Sequence, residues 1–132
     1  MQFEIYPFNT FETYFSADVI ALHKGKWLLC MHKERSTWEH PSGWIEEGET
    51  PLEAAKRELY EETGAIKFNL MPVCKYSFEI DGNNIFSIMY KAEITEMENL
   101  PKFEIKEVNF FEKIPDNVTY PEIYSEILKK VR

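Results

Sequence analysis

The stretch TPLEAAKRELYEETG, residues 50 to 64, leaves the chain little conformational choice. Thr50 is a hydroxyl N-cap, Pro51 suits the first helical position, and Glu53 completes a capping box. Gly64 supplies the left-handed residue that stops a helix. A helix over 51–63 is therefore specified at both ends. Its last turn is chemically odd, because Glu58, Glu61 and Glu62 crowd the negative end of the helix dipole. Like charges three and four residues apart also repel, by about 0.2–0.5 kcal/mol per pair. No lysine stands four residues on from any of the three glutamates.

At roughly 100° per residue, Leu52, Ala55 and Leu59 form a buried stripe. The three glutamates form one acidic face beside it, with Ala54 on that face one turn earlier. Glu53, Lys56, Arg57 and Tyr60 fall on the outer side, with Arg57 pointing off the acidic face. A solvated helix face is the ordinary meaning of such a charge run. Here a divalent cation would reverse both penalties at once. Carboxylate oxygens with no cysteine or paired histidine beside them in the sequence select a hard ion, Mg²⁺ or Mn²⁺.

The chain has 132 residues, enough for one domain with one sizeable core. Alternation and β-branching predict strands over 13–23, 27–33, 66–70, 73–80, 85–94 and 103–111, with turns at Lys24-Gly25-Lys26 and at DGNN. A second capping box, Thr119 to Glu122, predicts a C-terminal helix with the stripe Ile123, Ile127 and Val131. Strands and helices interleave without strict alternation, which implies an α/β fold, a mixed sheet with helices on both faces. A net charge of −8 argues against a partner such as duplex nucleic acid. It leaves room for a small phosphorylated ligand met by a metal. Cys30 and Cys74 lie in apolar runs and read as free buried thiols of a reducing compartment. The N-terminal stretch carries Glu4, Glu12 and Asp18 and reads as neither a signal peptide nor a membrane span, which together implies a cytoplasmic protein with no membrane partner. A homodimer is left open.

Residues 43–65, GWIEEGETPLEAAKRELYEETGA, closely resemble the signature box of the Nudix hydrolases. Gly43, Glu49, Arg57, Glu58, Leu59, Glu61, Glu62 and Gly64 match that pattern at its spacing, while Ala65 replaces a bulkier aliphatic residue. The resemblance implies an α/β/α sandwich that cleaves a diphosphate bond in a small nucleotide, such as an oxidised purine nucleoside triphosphate like 8-oxo-dGTP. It assigns Glu58, Glu61 and Glu62 to the divalent metal, with the Gly43 carbonyl as an extra ligand. Arg57 then reads as the fork that holds Glu49 and locks the loop to the helix. The resemblance also implies a base or further ligand from outside the box, and Glu104 and Glu107 are the candidates.

Lys33 and Arg35, after the second strand, are placed to meet substrate phosphates. His23, His32 and His40 show no ligand spacing, and Trp38 and Trp44 read as packing residues. Phe8, Tyr14 and Asn117 are candidates for base contact without any supporting spacing. Two other readings compete. An isopentenyl-diphosphate-isomerase-like enzyme would use a catalytic cysteine and a modified box, whereas a silent nucleotide-binding module usually loses one box glutamate.

Overall fold

A computed structural model describes residues 3–6, 13–101 and 104–131. Its strands are β1 (Phe3–Tyr6), β2 (Ser16–His23), β3 (Lys26–His32), β4 (Ser42–Trp44), β5 (Ala65–Ile80), β6 (Asn83–Met97) and β7 (Ile105–Phe111). The helices are α1 (Pro51–Thr63) and α2 (Pro121–Val131). One sheet runs β1-β5-β6-β2-β3-β7, with β4 also paired to β2. The β2–β6 pairing is parallel and the others are antiparallel, so the sheet is mixed.

Alternation along β2 sorts the core into two layers. Ala17, Val19 and Ala21 pack with Ala54, Ala55 and Leu59 of α1. Ile20 lies on the opposite face with Ile123, Tyr124 and Ile127 of α2. The expected sandwich is therefore present. Both expected turns are tight hairpins: Lys24 and Gly25, and Asp81 and Gly82, all have positive φ, as a type I′ turn requires.

Helix α1 ends as its sequence requires. Thr50 Oγ1 accepts from Glu53 N at 3.1 Å, and Glu53 Oε1 accepts from Thr50 N at 3.0 Å. Gly64 closes the helix at φ +83°. The wheel needs one correction. Leu52 is exposed, whereas Ala54 is wholly buried beside Ala55, so the helix meets the sheet through its two small side chains.

Other expectations change too. The strands read at 66–70 and 73–80 are one strand, β5, whose register shifts between Pro72 and Cys74. An irregular position accommodates a proline that cannot donate to the ladder. Asn83 and Asn84 belong to β6 rather than to the turn. Thr119 does not cap α2: its hydroxyl donates to Glu39 Oε2 at 2.6 Å, and the helix begins at Pro121. Strands β1 and β4 were not anticipated. Phe8, Phe103 and the side chain of Val131 lie outside the described residues. Among the described residues, no helix is long and apolar enough to cross a membrane.

Leu59 joins α1 to this core. Leu59→Ala is expected to lower the unfolding free energy by about 2–5 kcal/mol, measured by urea denaturation. A loss below about 0.5 kcal/mol would show that α1 is not anchored through this side chain.

Candidate active site

The site forms where β2 changes partners. Ser16–Asp18 pair with Trp44–Ser42 of β4, whereas Ala21–His23 pair with Leu28–Lys26 of β3. The loop between β3 and β4 leaves the sheet at this fork. A cleft of about 480 Å³ lies against it, lined by residues that include Asp18, His32, Arg35, Glu39, Gly43, Glu58, Glu62 and Glu104.

Arg57 organises the box. Its Nε and Nη2 donate to the two oxygens of Glu49 at 2.7 and 2.9 Å, the expected fork. Nη2 also donates to the Trp44 carbonyl at 3.0 Å, which fixes β4 against α1. The expectation that Arg57 points off the acidic face is wrong. Its Nη1 reaches Glu58 Oε1 at 2.6 Å and Glu61 Oε1 at 3.2 Å. A helical wheel positions Cα atoms, and a side chain this long bridges the gap. Hydrogen bonding to Arg57 holds the Glu49 carboxyl down at about 2.

Glu62 lies on the other side of the acidic cluster and is buried. Its Oε1 accepts from Ser42 N at 2.8 Å, and its Oε2 lies 3.1 Å from His32 Nε2. The same His32 nitrogen lies 2.8 Å from Glu39 Oε1. Hydrogen bonds to Glu39 and Glu62 push the His32 imidazole up to about 10, so it is a cation held between two acids. Burial alone would raise the Glu39 carboxyl. Hydrogen bonds from His32, Thr119 and Arg35 outweigh burial and hold Glu39 at about 2.

The acids fit a hard divalent cation. Burial and the Glu62 charge push Glu58 up to about 7 against the pull of Arg57, and burial also raises Glu62. Two carboxylates made costly in this way are what a cation relieves. Gly43 has no side chain to block them, since a Cβ there would collide with the Glu58 carboxylate. The nearby Cys30, His32 and Glu62 have ligand atoms within 4.8 Å of one another, a second metal-ligand grouping. It fits poorly. Burial holds the Cys30 thiol protonated and His32 is already a cation, whereas a soft metal needs thiolate and neutral imidazole.

The remaining candidates divide. Glu58 and Glu62 line the cleft, whereas Glu61, paired with Arg57 at 3.2 Å, is not among its lining residues. Arg35 also lines it but is tied to both oxygens of Glu39, at 2.9 and 2.7 Å. Lys33 borders an adjoining cavity of about 430 Å³ together with Arg35 and Glu104. Glu104 reaches both cavities. Glu107 is exposed on β7 opposite Met31, away from the cleft lining. Trp38 packs edge-on against Phe111, as expected, whereas Trp44 is 57% exposed in the cleft lining. Asn117 braces the loop by donating to the Ser36 carbonyl, and Tyr14 packs against the α1 side of the core.

Sequence reasoning missed His32, Glu39 and Asp18. Asp18 was legible as an acid inside an apolar strand, a place charges rarely occupy without partners, whereas Glu39 lies in a stretch that reads as a polar loop. His32 became a site residue only through tertiary pairing.

A NUDIX domain profile matches residues 14–122. The chain belongs to the NUDIX family. A Bacillus subtilis (strain 168) protein named "Putative 8-oxo-dGTP diphosphatase YtkD" is 36% identical over 112 residues, 84% of this chain and 70% of that protein. The RNA pyrophosphohydrolase of Bartonella henselae is 43% identical over 68 residues, 45% of this chain but only 39% of that protein's length. Among solved structures, a mutant form of the Bacillus subtilis pyrophosphohydrolase BsRppH matches with a TM-score of 0.77 and 32% identity, covering 88% of this chain and 73% of that one. The Escherichia coli dihydroneopterin triphosphate pyrophosphohydrolase, at 18% identity and a TM-score of 0.68 over 89% of this chain and 99% of that one, shares the fold. This NUDIX chain, with every glutamate of its box intact, is a Nudix diphosphatase.

Two outcomes check the site's electrostatics. In chelator, folding raises the Glu58 pKa from its ordinary 4.5 to about 7. The resulting stability is full below 4.5 and is lost as pH rises through about 7. Glu58→Gln removes that titration, so its melting temperature should exceed the wild type's near pH ~8 and lose the advantage near pH ~4. An equal difference at both would contradict the shift. In a double-mutant cycle, Arg57→Ala with Glu49→Ala should cost at least about 0.5 kcal/mol less than the summed single changes. Additive losses would show that the fork carries no coupling.

Proposed function

We propose that this NUDIX chain hydrolyses the diphosphate bond of a small nucleotide with Mg²⁺, for which Mn²⁺ substitutes. The substrate class is a nucleoside diphosphate linked to another group, including oxidised purine nucleoside triphosphates such as 8-oxo-dGTP. The carrying observation is the pair Glu58 and Glu62, both pushed up by burial and both lining one cleft. Glu58 and Glu62 would hold the metal, with Glu61 and the Gly43 carbonyl completing an oxygen set. The bound cation supplies neutralisation of the diphosphate and a lowered pKa for the attacking water.

The chain's own residues do the rest. Arg57 locks the Glu49 loop and aims Glu58. His32 keeps Glu62 in place. Arg35 and Lys33 sit where outer phosphates pass from the cleft into the adjoining cavity. Glu104, in both linings and free of the Arg57 network, is the better candidate for general base than Glu107. The net charge of −8 favours a small nucleotide over a long polyanion. Cys30 and Cys74, buried and not in a disulfide, suit a reducing, cytoplasmic compartment.

The isomerase reading loses support because Cys30 is wholly buried and held as a thiol, and Cys74 is buried in the α2 layer. The binding-module reading differs in one result: the nucleotide would bind and stay intact. A panel of nucleoside triphosphates, nucleotide conjugates and a short 5′-triphosphorylated RNA, incubated with protein and Mg²⁺, should release phosphate or pyrophosphate from the small nucleotides. Chelator should abolish release, and Glu62→Gln should lower kcat about 10²-fold or more. Tight binding without cleavage across the panel would support the binding module. Near-normal turnover by Glu62→Gln would remove the metal assignment.

A further inference from the structure

Glu39 lines the cleft yet is only 3% exposed. Its Oε1 accepts from His32 Nε2 at 2.8 Å and from Arg35 Nη1 at 2.9 Å. Its Oε2 accepts from Arg35 Nη1 at 2.7 Å and from the Thr119 hydroxyl at 2.6 Å. Thr119 has one hydroxyl proton, which goes to Glu39, so Thr37 Oγ1 donates to Thr119 at 2.6 Å. Donors from β3, from the β3–β4 loop and from the chain leading into α2 thus fill this carboxylate. A carboxylate has about four acceptor sites, so Glu39 has none left to serve as a base or a metal ligand.

What Glu39 does control is one proton. His32 Nε2 carries a single N–H, and that nitrogen lies 2.8 Å from Glu39 Oε1 and 3.1 Å from Glu62 Oε2. The N–H is shared between two buried carboxylates and leans toward Glu39. Sharing weakens each branch, because one N–H cannot align with both acceptors. Glu62 is therefore oriented by His32 and by Ser42 N without being captured in a full ion pair.

We propose that Glu39 is a positioning residue for the metal site: it takes the larger share of the His32 Nε2–H and so keeps Glu62 oriented yet open to a divalent cation. The assignment rests on the metal-dependent hydrolase reading above and adds the residue that sets how tightly the acidic cluster binds. With Glu39 weakened as an acceptor, the N–H passes to Glu62, and a cation must displace His32 to reach that oxygen.

Glu39→Gln is the informative change. It keeps the shape of the side chain and replaces a charged acceptor by a neutral one, so the His32 N–H shifts to the Glu62 carboxylate. Calorimetric titration with Mn²⁺ reads the result. Glu39→Gln should weaken Mn²⁺ binding about 10-fold. In a His32→Phe background, which has no N–H to pass on, the same change should alter the affinity by less than about 2-fold. Equal losses in both backgrounds, or no loss with His32 present, would overturn the proposal, because a Glu39 that serves stability alone does not act through His32.

Thr119→Val covers a Glu39 variant that fails to fold. It removes one of the donors that hold Glu39 and should weaken Mn²⁺ binding about 3-fold, whereas Thr119→Ser, which keeps the hydroxyl, should bind as the wild type does. Undiminished Mn²⁺ binding by Thr119→Val, or the same loss in Thr119→Ser, would overturn the proposal. A wild type that binds no Mn²⁺ would reject the metal reading itself, whereas wild-type binding with equal losses in both His32 backgrounds would reject the role of Glu39 alone.

Discussion

One guanidinium, that of Arg57, sets the geometry on which the site depends. It joins Glu49 of the loop, Glu58 and Glu61 of α1 and the Trp44 carbonyl of β4. Without that cation, several acids would repel one another at the negative end of a helix. With it, the loop, the short strand and the helix share one anchor. The Gly43 backbone then comes close enough to Glu58 that only a glycine fits. The clamp does not neutralise the cluster, because Glu62 lies beyond its reach and Glu58 stays pushed up to about 7. What remains is concentrated negative charge, of the kind a small, hard cation relieves.

A second polar network ties that cluster to the opposite face of the sheet. Glu39 gathers Arg35 from its own loop, His32 from β3 and Thr119 from just ahead of α2. His32 passes the tie on to Glu62. Buried acids cost stability unless fully paired, and Glu39 is paired on every side. Asp18 follows the same rule at the other end of the cleft, with His40 and Tyr76 on one oxygen. The cleft lining therefore joins acidic residues, Glu39, Glu58 and Glu62, with aromatic ones, Tyr76, Phe78 and Tyr120.

Much of the fold could be read from local chemistry. The caps of α1, the hairpin at Lys24-Gly25 and the alternation in β2 each follow from a few neighbouring residues, and the structure shows them. The box glutamates were legible because their cost is written into a helix end. Legibility failed where a long-range partner decided the outcome. Thr119 looks like a helix cap until Glu39 is seen to take its hydroxyl, 80 residues away in sequence. Arg57 looks outward on a wheel that ignores side-chain reach. His32 looks inert because neither Glu39 nor Glu62 is near it in the chain. Ala54 and Leu52 exchanged places because backbone proximity, not hydrophobicity, decides which residue faces a closely packed sheet.

The central claim is that the Glu58–Glu62 cluster would bind a divalent cation rather than serve as a solvated surface. Its most direct test is calorimetric titration of the chelated protein with Mn²⁺ near pH ~7, in two buffers of different ionisation enthalpy, which reports binding and proton release together. The account predicts saturable binding with release of a proton from the cluster, and loss of that release in Glu58→Gln. Absence of Mn²⁺ binding, or binding unchanged in both Glu58→Gln and Glu62→Gln, would contradict it.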